Sequence, residues 1–125
     1  MKKTILIVED DMFLRDIIEK KLASEGFETK SAVDVYGAEE VLKKGEVNLI
    51  LLDLLLPGVE GYELLVNLKS DPKQKDIPVI VFSNLSNEED KQRAFRAGAL
   101  DFLVKADHTP DSIVQKIKKA LNMPA

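Results

Sequence analysis

The sequence contains no cysteine and a single histidine, and none of its apolar runs reaches the roughly 20 residues that a membrane-crossing helix needs. Each absence excludes something. Without cysteine there is no disulfide framework, no thiolate metal site and no thiol nucleophile, so stability has to come from packing. The apolar run at the N-terminus, "MKKTILIVEDD", meets Glu9, Asp10 and Asp11 at once and is therefore not a signal peptide. Cations are not in excess: 18 Lys and Arg face 22 Asp and Glu, a net charge of -4 that argues against a nucleic-acid surface. The one basic stretch, "QKIKKALNM", reads as the solvated face of an amphipathic helix, with its cations near the C-terminus where the helix dipole favours them. The expectation is a cytoplasmic chain with neither a membrane nor a direct nucleic-acid partner.

What is present fits one compact domain spanning 1–125. Hydrophobic residues make up 45% and charged residues 32% of the 125, enough to build a core. Short apolar runs recur as "TILIVE" (4–9), "FETKSA" (27–32), "NLILLD" (48–53), "IPVIVFS" (77–83) and "ALDFLVK" (99–105), and read as strands. Segments of helical spacing lie between them. In the first, Leu14, Ile18 and Leu22 form an apolar row, and Gly26 stands where a left-handed cap is favoured. The second runs from Tyr36 to Lys44 and stops at Gly45. The third starts near Gly61, carries Leu64, Leu65 and Leu68, and ends before Asp71-Pro72. The fourth opens on "SNEE", with Ser86 and Glu89 at capping-box spacing, and closes at Gly98. The fifth opens on "TPDS", with Thr109 as cap and Pro110 in the first turn.

Strand and helix alternate throughout, which predicts a parallel sheet covered by helices on both faces. Strands one, three and four are almost wholly apolar, as burial on both sides requires, whereas the mixed "FETKSA" belongs at an edge.

Ligands of such sheets bind beyond the carboxyl ends of the strands. The polar residues at those ends are Glu9 and Asp10, Asp53, Ser83 and Lys105. If strands one, three, four and five are neighbours, these side chains share one crevice. Three carboxylates together raise one another's pKa, so the crevice needs cations: Lys105 supplies one, and an oxygen-rich site suits Mg²⁺ as another. A carboxylate nucleophile, a metal, a lysine and a hydroxyl donor are what phosphoryl transfer onto an aspartate requires, and the expected product is an aspartyl phosphate. Each residue also has a plainer reading. Taken singly, Asp53 would cap a turn, Glu9 and Asp10 would complement a helix dipole, Ser83 would satisfy a loop and Lys105 would sit exposed. Their company at homologous strand ends favours the functional reading. Asp11 is assigned to capping the first helix, and His108, in the polar "ADHTP" loop, to the surface.

The blocks "ILIVEDD", "LILLDLLLPGVEGYELL", "IPVIVFSN" and "AGALDFLVK" resemble, in order and spacing, the signature blocks of response-regulator receiver domains of two-component signalling. The resemblance covers essentially the whole chain. It implies a flavodoxin-like (βα)5 doubly wound sandwich with strand order 2-1-3-4-5, the order found in a chemotaxis member of that family. It further implies that Asp53 is the phosphoacceptor and Asp10 a direct Mg²⁺ ligand. Glu9 would act through a water, and the main-chain carbonyl of Leu55 would be a further ligand. Ser83 stands at the switch hydroxyl, Phe102 at the aromatic switch position, and Lys105 is the phosphate-binding lysine.

The implied function is a phosphoacceptor switch charged by a sensor histidine kinase or phosphotransfer protein. Its phosphorylation would change the surface of helix four, strand five and helix five for a downstream protein, or for a second copy of the chain. The expected output is protein contact, on the expectation that no output domain follows Asn122. The chain departs from the family pattern at Ala106, where many receivers have a proline after a cis bond; a trans bond is expected here. Asn84 is larger than is usual beside the phosphate. Leu55 and Leu85 put apolar groups where polar ones could position a water, which predicts a long-lived phosphoryl group. Two rivals remain: a scaffold that is never phosphorylated, and a phosphatase with Asp53 as nucleophile, which would need an acid at position 55.

Overall fold

The computed structural model describes residues 2–56 and 61–124, so the Pro57-Gly58 pair that follows the third strand in the sequence lies outside them. Five strands alternate with helices: β1 (Thr4–Val8), α1 (Met12–Ser24), β2 (Glu28–Ala32), α2 (Val35–Lys44), β3 (Leu49–Leu52), α3 (Gly61–Ser70), β4 (Val79–Ser83), α4 (Glu88–Arg96), β5 (Asp101–Val104) and α5 (Pro110–Ala120), with a 3-10 turn at Lys105–Asp107 before α5. All the strand pairings are parallel, in the order β2-β1-β3-β4-β5. Both the fold and the edge position of "FETKSA" are as expected.

The pleat divides the core in two. Side chains of one parity, including Leu6, Val8, Ile50, Leu52, Val79, Val81 and Phe102, meet Val35 and Ala38 of α2, Leu64, Leu65 and Leu68 of α3 and Ala94 of α4. The other parity, including Ile5, Ile7, Leu49, Leu51, Ile80, Phe82 and Leu103, meets Ile18 and Leu22 of α1 and Ile113, Val114 and Ile117 of α5. Every residue of β1, β3 and β4 is buried, as a doubly covered parallel sheet requires. Each fully buried Leu or Ile contributes about 1.5 to 3 kcal/mol by leaving water, so these strands dominate stability.

The helices begin at caps legible in the sequence, with one correction. Asp11 accepts from Leu14 N at 3.1 Å and Thr109 from Ser112 N at 3.2 Å. At α4, however, the cap is Asn87, which accepts from Asp90 N at 2.8 Å, rather than Ser86. Both residue types cap well, and the helix starts one residue later than the Ser86–Glu89 spacing assumes. After α1, Gly26 takes φ +92°, the left-handed conformation a side chain would resist. The Leu14, Ile18, Leu22 row faces the sheet, whereas Phe13 on the neighbouring row is 76% exposed.

Candidate functional site

Strand register brings the predicted residues to one end of the sheet. Val8 pairs with both Ala32 and Leu52, Leu52 with Val81, and Ser83 with Val104. Glu9, Asp53 and Lys105 are thus the first residues past the ends of β1, β3 and β5. The chain is still fastened there: Asp53 N donates to Val8 O at 3.0 Å, and Glu9 N to Ala32 O at 3.0 Å.

Glu9 and Asp53 are buried, at 2% and 4% exposure, while Asp10 is exposed at the mouth. The ammonium of Lys105 lies between the two buried acids, 2.8 Å from Asp53 Oδ2 and 2.6 Å from Glu9 Oε1. The Asp53 contact is a hydrogen bond. The Glu9 contact is a close ion pair to Oε1, a buried atom that finds its counter-charge in the same ammonium. The remaining carboxylate oxygens take main-chain donors: Asp53 Oδ1 accepts from Leu55 N at 3.0 Å, and Glu9 Oε2 from Asp11 N at 3.1 Å.

Electrostatics follow from this crowding. Burial pushes the Glu9 carboxyl above its ordinary value; Lys105 and the Asp11 amide pull it down, and the Asp53 charge adds to the rise. Burial opposes the charge on Lys105, but Asp53 and Glu9 outweigh it and raise the ammonium above its usual value. The lysine is therefore charged at neutral pH. One cation against three carboxylates leaves a net negative crevice.

Glu9, Asp10 and Asp53 can each turn an oxygen toward a common point, with these atoms within 4.8 Å of one another. This all-oxygen set fits a hard divalent cation such as Mg²⁺.

The other predicted residues stand as follows. Ser83 is fully buried at the end of β4, and its hydroxyl accepts from Leu85 N at 3.4 Å. Leu55 is 52% exposed on the loop after β3, next but one to Asp53. Phe102 is buried in the core shared with α2, α3 and α4. The Lys105–Ala106 bond is trans. His108 is half-buried and its Nδ1 lies 2.6 Å from Ser112 Oγ in the first turn of α5.

Two contacts escaped sequence reading. Arg15 reaches back from α1 to donate from Nη1 to Glu9 O at 2.9 Å, a contact whose only sequence signal is an arginine six residues after an acid. Gly61 lies so close to the acceptor loop that a Cβ would fall 2.8 Å from Asp53 O and from Leu54 Cα.

Comparison with known proteins identifies the family and the fold. The family model for the response regulator receiver domain matches residues 5–118. The phosphate regulon transcriptional regulatory protein PhoB of Pseudomonas aeruginosa is 36% identical over 119 residues, covering 95% of this chain and 52% of that protein. The chain therefore spans about half the length of the curated relatives it matches. Among solved structures, a CheY-like receiver domain protein from Methanospirillum hungatei superposes with a TM-score of 0.90 at 29% identity, covering 98% of this chain and 95% of the other. The Mn²⁺-bound form of response regulator Rcp1 gives 0.83 at 30% identity, covering 98% and 99%. The family model and the strand order thus agree, and the chain belongs to the response regulator receiver domain family of two-component systems.

Proposed function

We propose that this receiver is a phosphoacceptor switch and that Asp53 is its acceptor. The observation that carries this reading is the Asp53–Lys105 contact of 2.8 Å, set beside an acidic cluster fit for a divalent cation. The donor is a phosphohistidine on a sensor histidine kinase or phosphotransfer protein. An Asp53 carboxylate oxygen attacks phosphorus, the P–N bond breaks, and the imidazole leaves with its electron pair. Mg²⁺ held by Asp10, Asp53, the Leu55 carbonyl and, through water, Glu9 would neutralise charge on the phosphoryl oxygens; Mn²⁺ in the related Rcp1 supports a divalent ion here.

The chain's own groups do the rest. Lys105 donates to a phosphoryl oxygen, exchanging part of its hold on the acids for a stronger anion. The Ser83 hydroxyl is sealed under the loop before α4, so its donation to the phosphoryl group requires that loop to move inward. Phe102 repacks behind it, and the α4, β5 and α5 face shifts between two arrangements. Phe95 and Leu100, exposed on that side, are available to a downstream protein or to a second phosphorylated copy. The net charge of -4 favours a protein over nucleic acid as the direct partner. Leu55 offers no polar group to orient a water, so the phosphoryl group is lost slowly.

Incubation with acetyl phosphate and Mg²⁺, followed by intact mass, tests the reading. The expected result is one stable phosphoryl addition, absent in Asp53→Asn, with faster decay in Leu55→Asn. No addition to the wild type would overturn the switch in favour of a scaffold. Rapid phosphate release without accumulation would favour a phosphatase, a reading weakened by the leucine at position 55 where a general acid is needed.

A further inference from the structure

We propose that Arg15 is a positioning residue for the acidic cluster, holding the Glu9–Asp10 peptide so that both carboxylates serve one cation; this rests on the metal reading proposed above. Each other polar point of Glu9 is engaged or committed. Its amide is bonded to Ala32 O at 3.0 Å, Oε2 accepts from the Asp11 amide at 3.1 Å, and Oε1 faces the Lys105 ammonium at 2.6 Å. The main-chain oxygen is the last point of attachment, and Arg15 Nη1 takes it at 2.9 Å.

That oxygen lies in the same peptide plane as the Asp10 nitrogen. Fixing it fixes the direction in which Asp10 leaves β1, and so the reach of the Asp10 carboxylate toward Asp53. Arg15 is itself well placed to hold still. Its own amide bonds to Asp11 O at 2.9 Å, its side chain is only 15% exposed, and its Nε lies 3.8 Å from Glu19 Oε1 on the next turn. A planar guanidinium held between a carboxylate and a carbonyl has a set direction, which a lysine ammonium on a flexible stem lacks.

The sign of the effect separates positioning from plain charge. A cation beside a metal site repels the metal, so an electrostatic role alone predicts tighter metal binding once Arg15 is removed. Groups that orient metal ligands typically contribute about 10- to 100-fold in affinity. Glu19, 3.8 Å from Nε, partly neutralises the guanidinium, so positioning outweighs repulsion.

The test is Mn²⁺ binding to the whole chain, read by the electron paramagnetic resonance signal of free Mn²⁺, beside urea midpoints in metal-free buffer. Arg15→Met is expected to weaken Mn²⁺ binding about 10-fold, and Arg15→Lys to fall between it and the wild type, while acetyl phosphate still modifies Asp53 at saturating metal. Unchanged or tighter binding in Arg15→Met would overturn the proposal and leave the metal site standing. Failure of the wild type to bind Mn²⁺ would overturn both the metal reading and this one. Should Arg15→Met not fold, Arg15→Gln takes its place with the same expected weakening and the same overturning result.

Discussion

Lys105 holds two buried carboxylates at once, and its side chain is 13% exposed, so water does little to replace it. Removing one partner of a buried ion pair costs about 3 kcal/mol or more, because the other charge is left uncompensated. Lys105→Met is therefore expected to lower unfolding free energy by about 3 kcal/mol at pH 7 in a chelating buffer. Millimolar Mg²⁺ should restore part of the loss, since a metal supplies the missing charge; urea unfolding with and without Mg²⁺ checks both. An unchanged midpoint would mean that the acids do not depend on the lysine.

At this scale the sequence was informative where residue type and strand end coincide. Asp53 and Lys105 are legible because an acid and a lysine each terminate an apolar run. Arg15 was not, because a contact from residue 15 to residue 9 depends on how α1 leaves the sheet, which no periodicity encodes. Asn87 and Ser86 were indistinguishable as caps, since both side chains offer the same acceptor to the same turn.

At the scale of elements, the start of α3 is fixed by what it touches. Alanine at Gly61 would place a methyl carbon 2.8 Å from two main-chain atoms of the acceptor loop, and backbone cannot step aside as a flexible side chain would. Alanine is favoured over glycine in a helix by about 1 kcal/mol. Overpacking costs about 1 to 3 kcal/mol and here also displaces the backbone of Asp53 and Leu54. The clash dominates: Gly61→Ala is expected to destabilise by about 2 kcal/mol and to slow modification by acetyl phosphate, as urea unfolding and mass-resolved kinetics would show. A stabilised variant with normal kinetics would contradict this account.

Element type and order were readable from the alternation of buried strands and amphipathic helices. Boundaries were less so: β3 ends at Leu52 and β5 at Val104, one residue short of the functional side chain in each case. Asp53 and Lys105 lie one residue beyond the ladder, whereas Ser83 is the last residue of β4.

Across the whole molecule, the first and last helices close the fold on one face of the sheet. Glu25, just past α1, lies 2.9 Å from Lys118 of α5 and 3.7 Å from Lys21, and Lys21 lies 2.6 Å from Asp111. The Lys118 contact, first, and Lys21 hold the Glu25 carboxyl below its ordinary value. A depressed carboxylate contributes stability above its unfolded pKa, and that contribution is lost as pH falls through the folded value. Glu25→Gln is thus expected to lower Tm at pH 7 and low salt, with the gap narrowing in 1 M salt and closing as the pH drops below the ordinary carboxylate range. Thermal melts of both proteins across pH check this; a gap that persists in acid would place the effect elsewhere.

The amides of Glu9 and Asp53 remain tied to Ala32 and Val8, so the two acids are extensions of the central ladder rather than parts of a loop. Local opening of a protein follows cooperative units, and the central strands belong to the unit that opens last. The acceptor and its acidic neighbour consequently share the fate of the sheet: their main-chain bonds open only when the sheet itself does. The rim formed by Leu55, Ala106 and the loop after β4 can rearrange without breaking a ladder bond. The molecule keeps its reactive carboxylate still and reserves its freedom for the surface around it.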